Sequence, residues 1–166
     1  MPTTTTAAPR IAIQVVGTDP TRLASLRRSG VDLWGNLIEP FVDDEGGWPL
    51  RCCLRDSTPG DRLAIVAWCP VPWSGPFVEV GPIVIHHDGC EAAVLDAVPE
   101  QFLGRRQLLR PYAPDHRIAY DHLRLVEADG SLPDALDEIL AHPEVAEVVV
   151  RNVLAGCYSF RVSRAG

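Results

Sequence analysis

Val145-Ala146-Glu147-Val148-Val149-Val150-Arg151-Asn152-Val153, then Leu154-Ala155-Gly156, then Cys157-Tyr158-Ser159-Phe160-Arg161-Val162-Ser163 reads as two strands around a short glycine-containing loop. That pattern is an antiparallel hairpin. Along the first strand Ala146, Val148, Val150 and Asn152 share one face, and Glu147, Val149 and Arg151 share the other. Along the second, Tyr158, Phe160 and Val162 form the apolar set. Cys157, Ser159, Arg161 and Ser163 form the more polar one. Asn152 thus takes an inward position, where an amide needs partners. It either ties down the 154–156 loop or faces a pocket and binds substrate. Cys157, beside the turn, is a better candidate for a reactive thiol than Cys69, which lies in an apolar run.

Reading outward from the hairpin, short strands dominate. Arg62 to Cys69 is almost continuously apolar and predicts a central buried strand. Phe77 to Val80 and Ile83 to His87 predict two strands around the Gly81-Pro82 corner. Ile11 to Val16, Leu50 to Leu54, Arg106 to Arg110 and Ile118 to Glu127 complete the set. Asp19 as N-cap with Pro20 behind it opens a helix over Thr21 to Arg28, which Gly30 stops. Leu132-Pro133 opens a second helix to about Ala141, with Leu136, Ile139 and Leu140 on one side. Glu91 to Ala97 predicts a helical turn or two. The expected architecture is a single α+β domain over 10–166, behind a disordered tail at 1–9. It is a mostly antiparallel curved sheet or half-barrel with about three short helices.

Composition excludes several classes of function. Apolar residues make up 46% and charged residues 22% of the 166-residue chain, as in ordinary globular domains. All 15 cationic side chains are Arg, with no Lys. This excludes an internal aldimine with pyridoxal phosphate and a Walker-type phosphate loop. A net charge of −7, with no basic stripe interleaved with aromatics, argues against nucleic acid as a partner. No apolar run reaches the length of a membrane span. The N-terminal residues lack a basic and apolar leader, so a cytoplasmic location is expected. Five cysteines, two of them adjacent, make a poor disulfide framework.

Chemistry concentrates at His86 and Cys90. His86 ends a buried strand, and Cys90 comes after the Asp88-Gly89 turn. An imidazole beside a thiol can serve as base and nucleophile. The same pair is also half of a zinc site. The remaining ligands would then come from elsewhere, for instance Cys157 or His122. Read as a strand, Leu50 to Leu54 sends Cys52 and Cys53 to opposite sides, so that both cannot ligate one metal. Arg51 and Arg110 are candidate anchors for an anionic ligand. The bland alternatives are a hydrogen-bonded histidine, packed thiols and solvated arginines.

These motifs together resemble a bacterial family called Domain of Unknown Function 1203. The resemblance rests on Arg51-Cys52-Cys53-Leu54, on Pro59-Gly60-Asp61 before a buried strand, on Glu79-x-Gly81-Pro82-Ile83-x-x-His86-x-x-x-Cys90, on Arg110-Pro111-Tyr112, and on Arg151-Asn152-x-x-x-Gly156-Cys157-Tyr158. It runs from about Trp48 to Arg161. In the family the first motif often reads Pro-Cys-Arg. Leu50 takes that Cys position here, which moves any thiol role to Cys52 or Cys53. The resemblance implies no particular reaction.

The expectation from sequence is a small enzyme without organic cofactor, acting on a small anionic metabolite, in specialised metabolism. His86 would be acid or base and Cys90 or Cys157 the thiol, with Arg51, Arg110, Tyr112 and Asn152 binding substrate. Isomerisation, cyclisation, elimination and acyl transfer all fit this set. No metal ligands are assigned. Two alternatives stand beside it: a binding module for a small molecule or a protein, and a metal-binding protein, of zinc or iron, using His86, Cys90 and another Cys.

Overall fold

A computed structural model describes residues 10–166. The tail expected at 1–9 lies outside the described residues. In chain order the elements are β1 (Ile13–Val16), α1 (Pro20–Ser29), β2 (Phe41–Val42), β3 (Arg62–Trp68), β4 (Gly81–His86), β5 (Val94–Leu95), β6 (Gln107–Tyr112), β7 (Arg124–Val126), α2 (Leu132–Leu140), β8 (Glu147–Asn152) and β9 (Tyr158–Arg164). Two single turns of 3-10 helix lie at Glu100–Phe102 and Tyr120–His122.

The strands divide between two antiparallel sheets instead of forming one. The larger has the order β5-β1-β9-β8-β6-β7 and the smaller β2-β3-β4. Both helices form where the sequence predicts them. Asp19 Oδ1 accepts the Arg22 N–H at 2.8 Å, and Gly30, at φ 70°, closes α1 in the left-handed conformation. Ser131 caps α2 through the Asp134 N–H. The third expected helix does not form. Residues 91–97 instead supply β5, which pairs with the edge of β1.

The hairpin decides the layering, because β8 is apolar on both faces. Val148 and Val150 pack with Leu109, Phe160 and Val162 beneath α2, whose Leu136, Ile139 and Leu140 are buried. Each such side chain contributes about 1.5–3 kcal/mol on burial. Val149 faces the other way, into a second core with Leu63 and Ile85 of the small sheet and Leu23 and Leu26 of α1. A bulge lies in the hairpin: Val150 pairs with Phe160, but Arg151 pairs with Tyr158. One extra residue sends the side chains on its far side to the opposite face. Tyr158 therefore joins the second core while Phe160 stays in the first. Simple alternation predicts Tyr158 and Phe160 on one side, and the bulge is why they part.

Three expected strands differ. Residues 50–54 form a tight turn, closed by the Leu50 N–H on the Arg55 carbonyl at 2.9 Å. Leu54 sits there at φ 56°, a left-handed conformation rare for a branched side chain. Residues 77–80 are irregular, and the strand expected over 118–127 shortens to β7 behind a 3-10 turn. β3 is central in its sheet, but Ile65 on its outer face is 52% exposed. Among the described residues no helix is long and apolar enough to cross a membrane.

Candidate metal centre

Three segments meet at the C-terminal end of β4. His86 is its last residue. The 50–55 turn lies against it, held by the Arg51 N–H on the Val84 carbonyl at 2.9 Å and the Ala93 N–H on the Cys52 carbonyl at 2.7 Å. The chain then turns at Gly89, φ 103°, a conformation that favours glycine, and returns with Cys90. The 50–55 turn also packs on the end of β1. A Cβ on Gly17 would lie 2.2 Å from the Arg51 carbonyl oxygen, so only glycine fits there.

The result is a cluster of four donors. The Sγ atoms of Cys52, Cys53 and Cys90 and a ring nitrogen of His86 all lie within 4.8 Å of one another. His86 Nδ1 is 3.7 Å from Cys52 Sγ and 4.0 Å from Cys53 Sγ. The backbone N–H of His86 also points at Cys52 Sγ, 3.4 Å away. On the far side of the ring, Nε2 meets Asp61 Oδ2 at 3.3 Å. Asp61 belongs to the turn at 58–61 before β3, and the N–H of Thr58 donates to the same carboxylate oxygen at 2.8 Å.

Two guanidiniums flank the thiols. Arg27 of α1 donates to the His86 carbonyl at 2.7 Å and lies 3.9 Å from Cys90 Sγ. Arg55 bonds the Cys53 thiol, which raises the Arg55 pKa. Hydrogen bonds from the Cys52 and Cys90 thiols, with help from Arg55, hold the Cys53 thiol far below the ordinary range. Cys52 is pushed up, first by its hydrogen bond to Cys53 and then by Cys90 and burial. All five cysteines are free thiols.

The expected site residues thus separate. His86 and Cys90 do meet. Their further neighbours are Cys52 and Cys53, not Cys157 or His122. The expectation that Cys52 and Cys53 diverge fails because 50–54 is a turn, in which adjacent side chains need not alternate. His122 joins a different, more exposed group, 2.9 Å from Glu144 and stacked near His142. Arg55, which the 50–55 motif carries, joins the site, and Asp61 and Arg27 join it without having been candidates from sequence. The only sequence signal for Asp61 is its Pro59-Gly60-Asp61 turn.

A second polar region lies where the two sheets face each other. Arg110 and Arg151 both reach Glu79 Oε2, Arg151 at 2.5 Å. Tyr112 is buried, edge-on to Trp73. Arg51 is buried and donates to the carbonyls of Tyr158 at 2.5 Å and Pro49 at 3.0 Å, so it braces the 50–55 turn against the hairpin. Asn152 is exposed. Its Oδ1 accepts the N–H groups of Leu154 and Ala155, at 3.0 and 2.9 Å, so it ties down its own loop. Cys157 lines two clefts whose walls hold neither His86 nor Cys90.

Residues 47–164 match the family described as "Protein of unknown function (DUF1203)", and the chain belongs to that family. The match takes in all four donors and Asp61 and leaves out β1, α1 and Arg27. No curated protein and no solved structure matches the chain.

Proposed function

We propose that this DUF1203 protein is a metal-binding domain that holds one zinc ion through Cys52, Cys53, Cys90 and His86 Nδ1. The observation that carries this reading is the mutual spacing of four soft donors from three separate segments. A tetrahedral zinc, with Zn–S of about 2.3 Å and Zn–N of about 2.0–2.1 Å, needs S···N separations of about 3.6 Å and S···S of about 3.8 Å. The spacings of 3.7 and 4.0 Å from His86 Nδ1 to the sulfurs of Cys52 and Cys53 are already close to that. Thiolates select zinc over magnesium or calcium.

The surroundings support the same reading. A metal-bound histidine donates its other N–H to a carboxylate or carbonyl, which fixes its tautomer. Asp61 stands at that place on His86 Nε2. Arg27 and Arg55 offset the negative charge of three thiolates around a divalent ion. Protein donors fill all four positions, which is the signature of a structural site with no place left for substrate. Its role is to lock the 50–55 turn, the end of β4 and the 88–90 turn into one unit. The test is elemental analysis of the full chain, with melting measured before and after chelation. One zinc per chain, and a melting temperature that falls on chelation and returns with zinc, is the expected result. Protein without metal whose melting zinc does not raise would remove the proposal.

A second reading has its own support. Asp61, His86 and the Cys53 thiol form a carboxylate–imidazole–thiol series, with the thiol already held low. That is the arrangement of an activated nucleophile and its base. On this reading the domain is an enzyme for a small anionic metabolite, with Cys53 replacing Cys90 as the attacking thiol. Rapid alkylation of Cys53 in metal-free protein, blocked by His86→Ala, would favour it. Protection of Cys53 by bound zinc would favour the metal centre.

A further inference from the structure

The two clefts that meet at Cys157 suggest a second site, independent of the metal centre. One has a volume of about 390 Å³ and carries Glu79 and Arg151 on its wall. The other, about 290 Å³, is walled mainly by Trp48, Pro49, Ile65, Ile83 and Val84. Pro82, Cys157 and Tyr158 line both, so the two are halves of one depression with a thiol at the joint. Sites for small ligands combine this kind of apolar wall with a few convergent polar groups.

The charge of the polar half is unbalanced. Arg110 and Arg151 share one carboxylate, Glu79. Arg151 Nε is buried without an acceptor among the described residues. Arg51, on the wall of the apolar half, donates only to carbonyls and pairs with no carboxylate among the described residues. Arg51 and Arg151 therefore line the depression with one carboxylate, Glu79, which Arg110 also shares from outside it, in a chain whose net charge is −7. A cationic surplus held in a cleft of an acidic protein attracts anions there. Burial lowers the Arg151 pKa against the opposing pull of Glu79.

We propose that this depression binds a small apolar carboxylate, with its hydrocarbon body against Trp48 and Ile65 and its carboxylate on Arg151, alongside Glu79. Arg151 Nη1 already holds the Gly156 carbonyl and Nη2 reaches Glu79, so the ligand's carboxylate shares that guanidinium with Glu79 through a charge-assisted hydrogen bond. Cys157 lies where body and carboxylate join, so an occupied site shields its sulfur.

The probe is 4-phenylbutyrate, with 4-phenyl-1-butanol and butyrate as matched controls, titrated calorimetrically into the full zinc-loaded chain. Saturable binding is expected with Kd below about 1 mM, about tenfold tighter than either control. Glu79→Gln removes the competing carboxylate and tightens the acid alone. Ile65→Glu changes a half-exposed wall residue, and weakens the acid about tenfold. Alkylation of Cys157 slows in the presence of the acid. Equal binding of acid and alcohol would overturn the carboxylate assignment. Absence of saturation up to about 10 mM, or binding that neither variant alters and that leaves Cys157 alkylation unchanged, would overturn the site. The metal content of each variant is measured in parallel, so failure here is separable from failure of the zinc centre.

Discussion

The turn at 50–55 and the loop at 152–157 are both tight, both carry arginine and both present cysteine, yet they are built in opposite ways. The second is complete by itself. Asn152 takes the two free N–H groups of its loop, and Arg151 Nη1 donates to the Gly156 carbonyl at 2.9 Å. The first is held by others: β4, residue 93 and the end of β1. Its side chains converge on donors from two further segments and bring three sulfurs and a ring nitrogen within 4.8 Å of one another. A self-satisfied loop presents its thiol to whatever enters the cleft. A loop closed by distant segments leaves a shared donor set, which on the proposed reading a metal ion completes.

This contrast fixes the order of expected effects. His86→Ala, or chelation of the wild type, should cost the most. Loss of an ion present at about a thousandfold over its Kd removes about 4 kcal/mol, read as a fall in melting temperature. Cys157→Ala should move it by less than about 0.5 kcal/mol. If the two substitutions cost the same, the contrast between the loops is wrong.

Gly17→Ala comes next. The added methyl meets the Arg51 carbonyl, and forcing atoms into a filled space costs about 1–3 kcal/mol. Because Arg51 precedes Cys52, zinc affinity should fall with it, although residue 17 is no ligand. Unchanged affinity in a destabilised protein would mean that the turn is not positioned from β1. Asp61→Asn should weaken zinc binding about 10–100-fold while the apo protein melts normally. Retained affinity would detach Asp61 from the site.

The hairpin loop should respond more weakly. Asn152→Ala gives up two hydrogen bonds at an exposed position, about 1 kcal/mol, read as faster proteolysis at 153–156 with zinc content unchanged. The smallest effect is one of pH. Arg110 holds the Glu79 carboxyl below its ordinary value of 4.5. A carboxylate whose folded pKa is depressed contributes stability that is present above its unfolded pKa and is lost as pH falls through the folded one. Glu79 should therefore stabilise the protein above about pH 4.5 and lose that contribution below it. Glu79→Gln should flatten this part of the acid-unfolding curve, and an unchanged curve would mean that the arginine pair does not act on it.

Much of this architecture is legible in the residues. Alternation gives the hairpin, the Asp19 cap gives the first helix, Leu132-Pro133 and one apolar side give the second, and a strand end before a turn brings His86 to Cys90. The bulge is not legible, because nothing in Tyr158-Ser159-Phe160 marks where the extra residue falls. Cys52 and Cys53 are concealed for a comparable reason. Leu50-Arg51-Cys52-Cys53-Leu54 has the alternation of a strand, and Leu54 in a left-handed conformation carries no sequence signal, since neither Gly nor Asn stands there. The turn is imposed by β4 and by the contact at Gly17. Long-range contacts make the donor set, so local pattern cannot reveal it. Asn152 shows the converse case, where the loop-tying alternative needs only neighbouring residues.

The central claim is that three sulfurs and one imidazole nitrogen hold a single zinc. X-ray absorption at the zinc edge, on the full chain loaded with one equivalent of zinc, tests it most directly. The account predicts three sulfur scatterers at about 2.3 Å and one nitrogen at about 2.0 Å, with one sulfur lost in Cys53→Ser. A first shell of oxygen and nitrogen alone, or one that Cys53→Ser leaves unaltered, would contradict it.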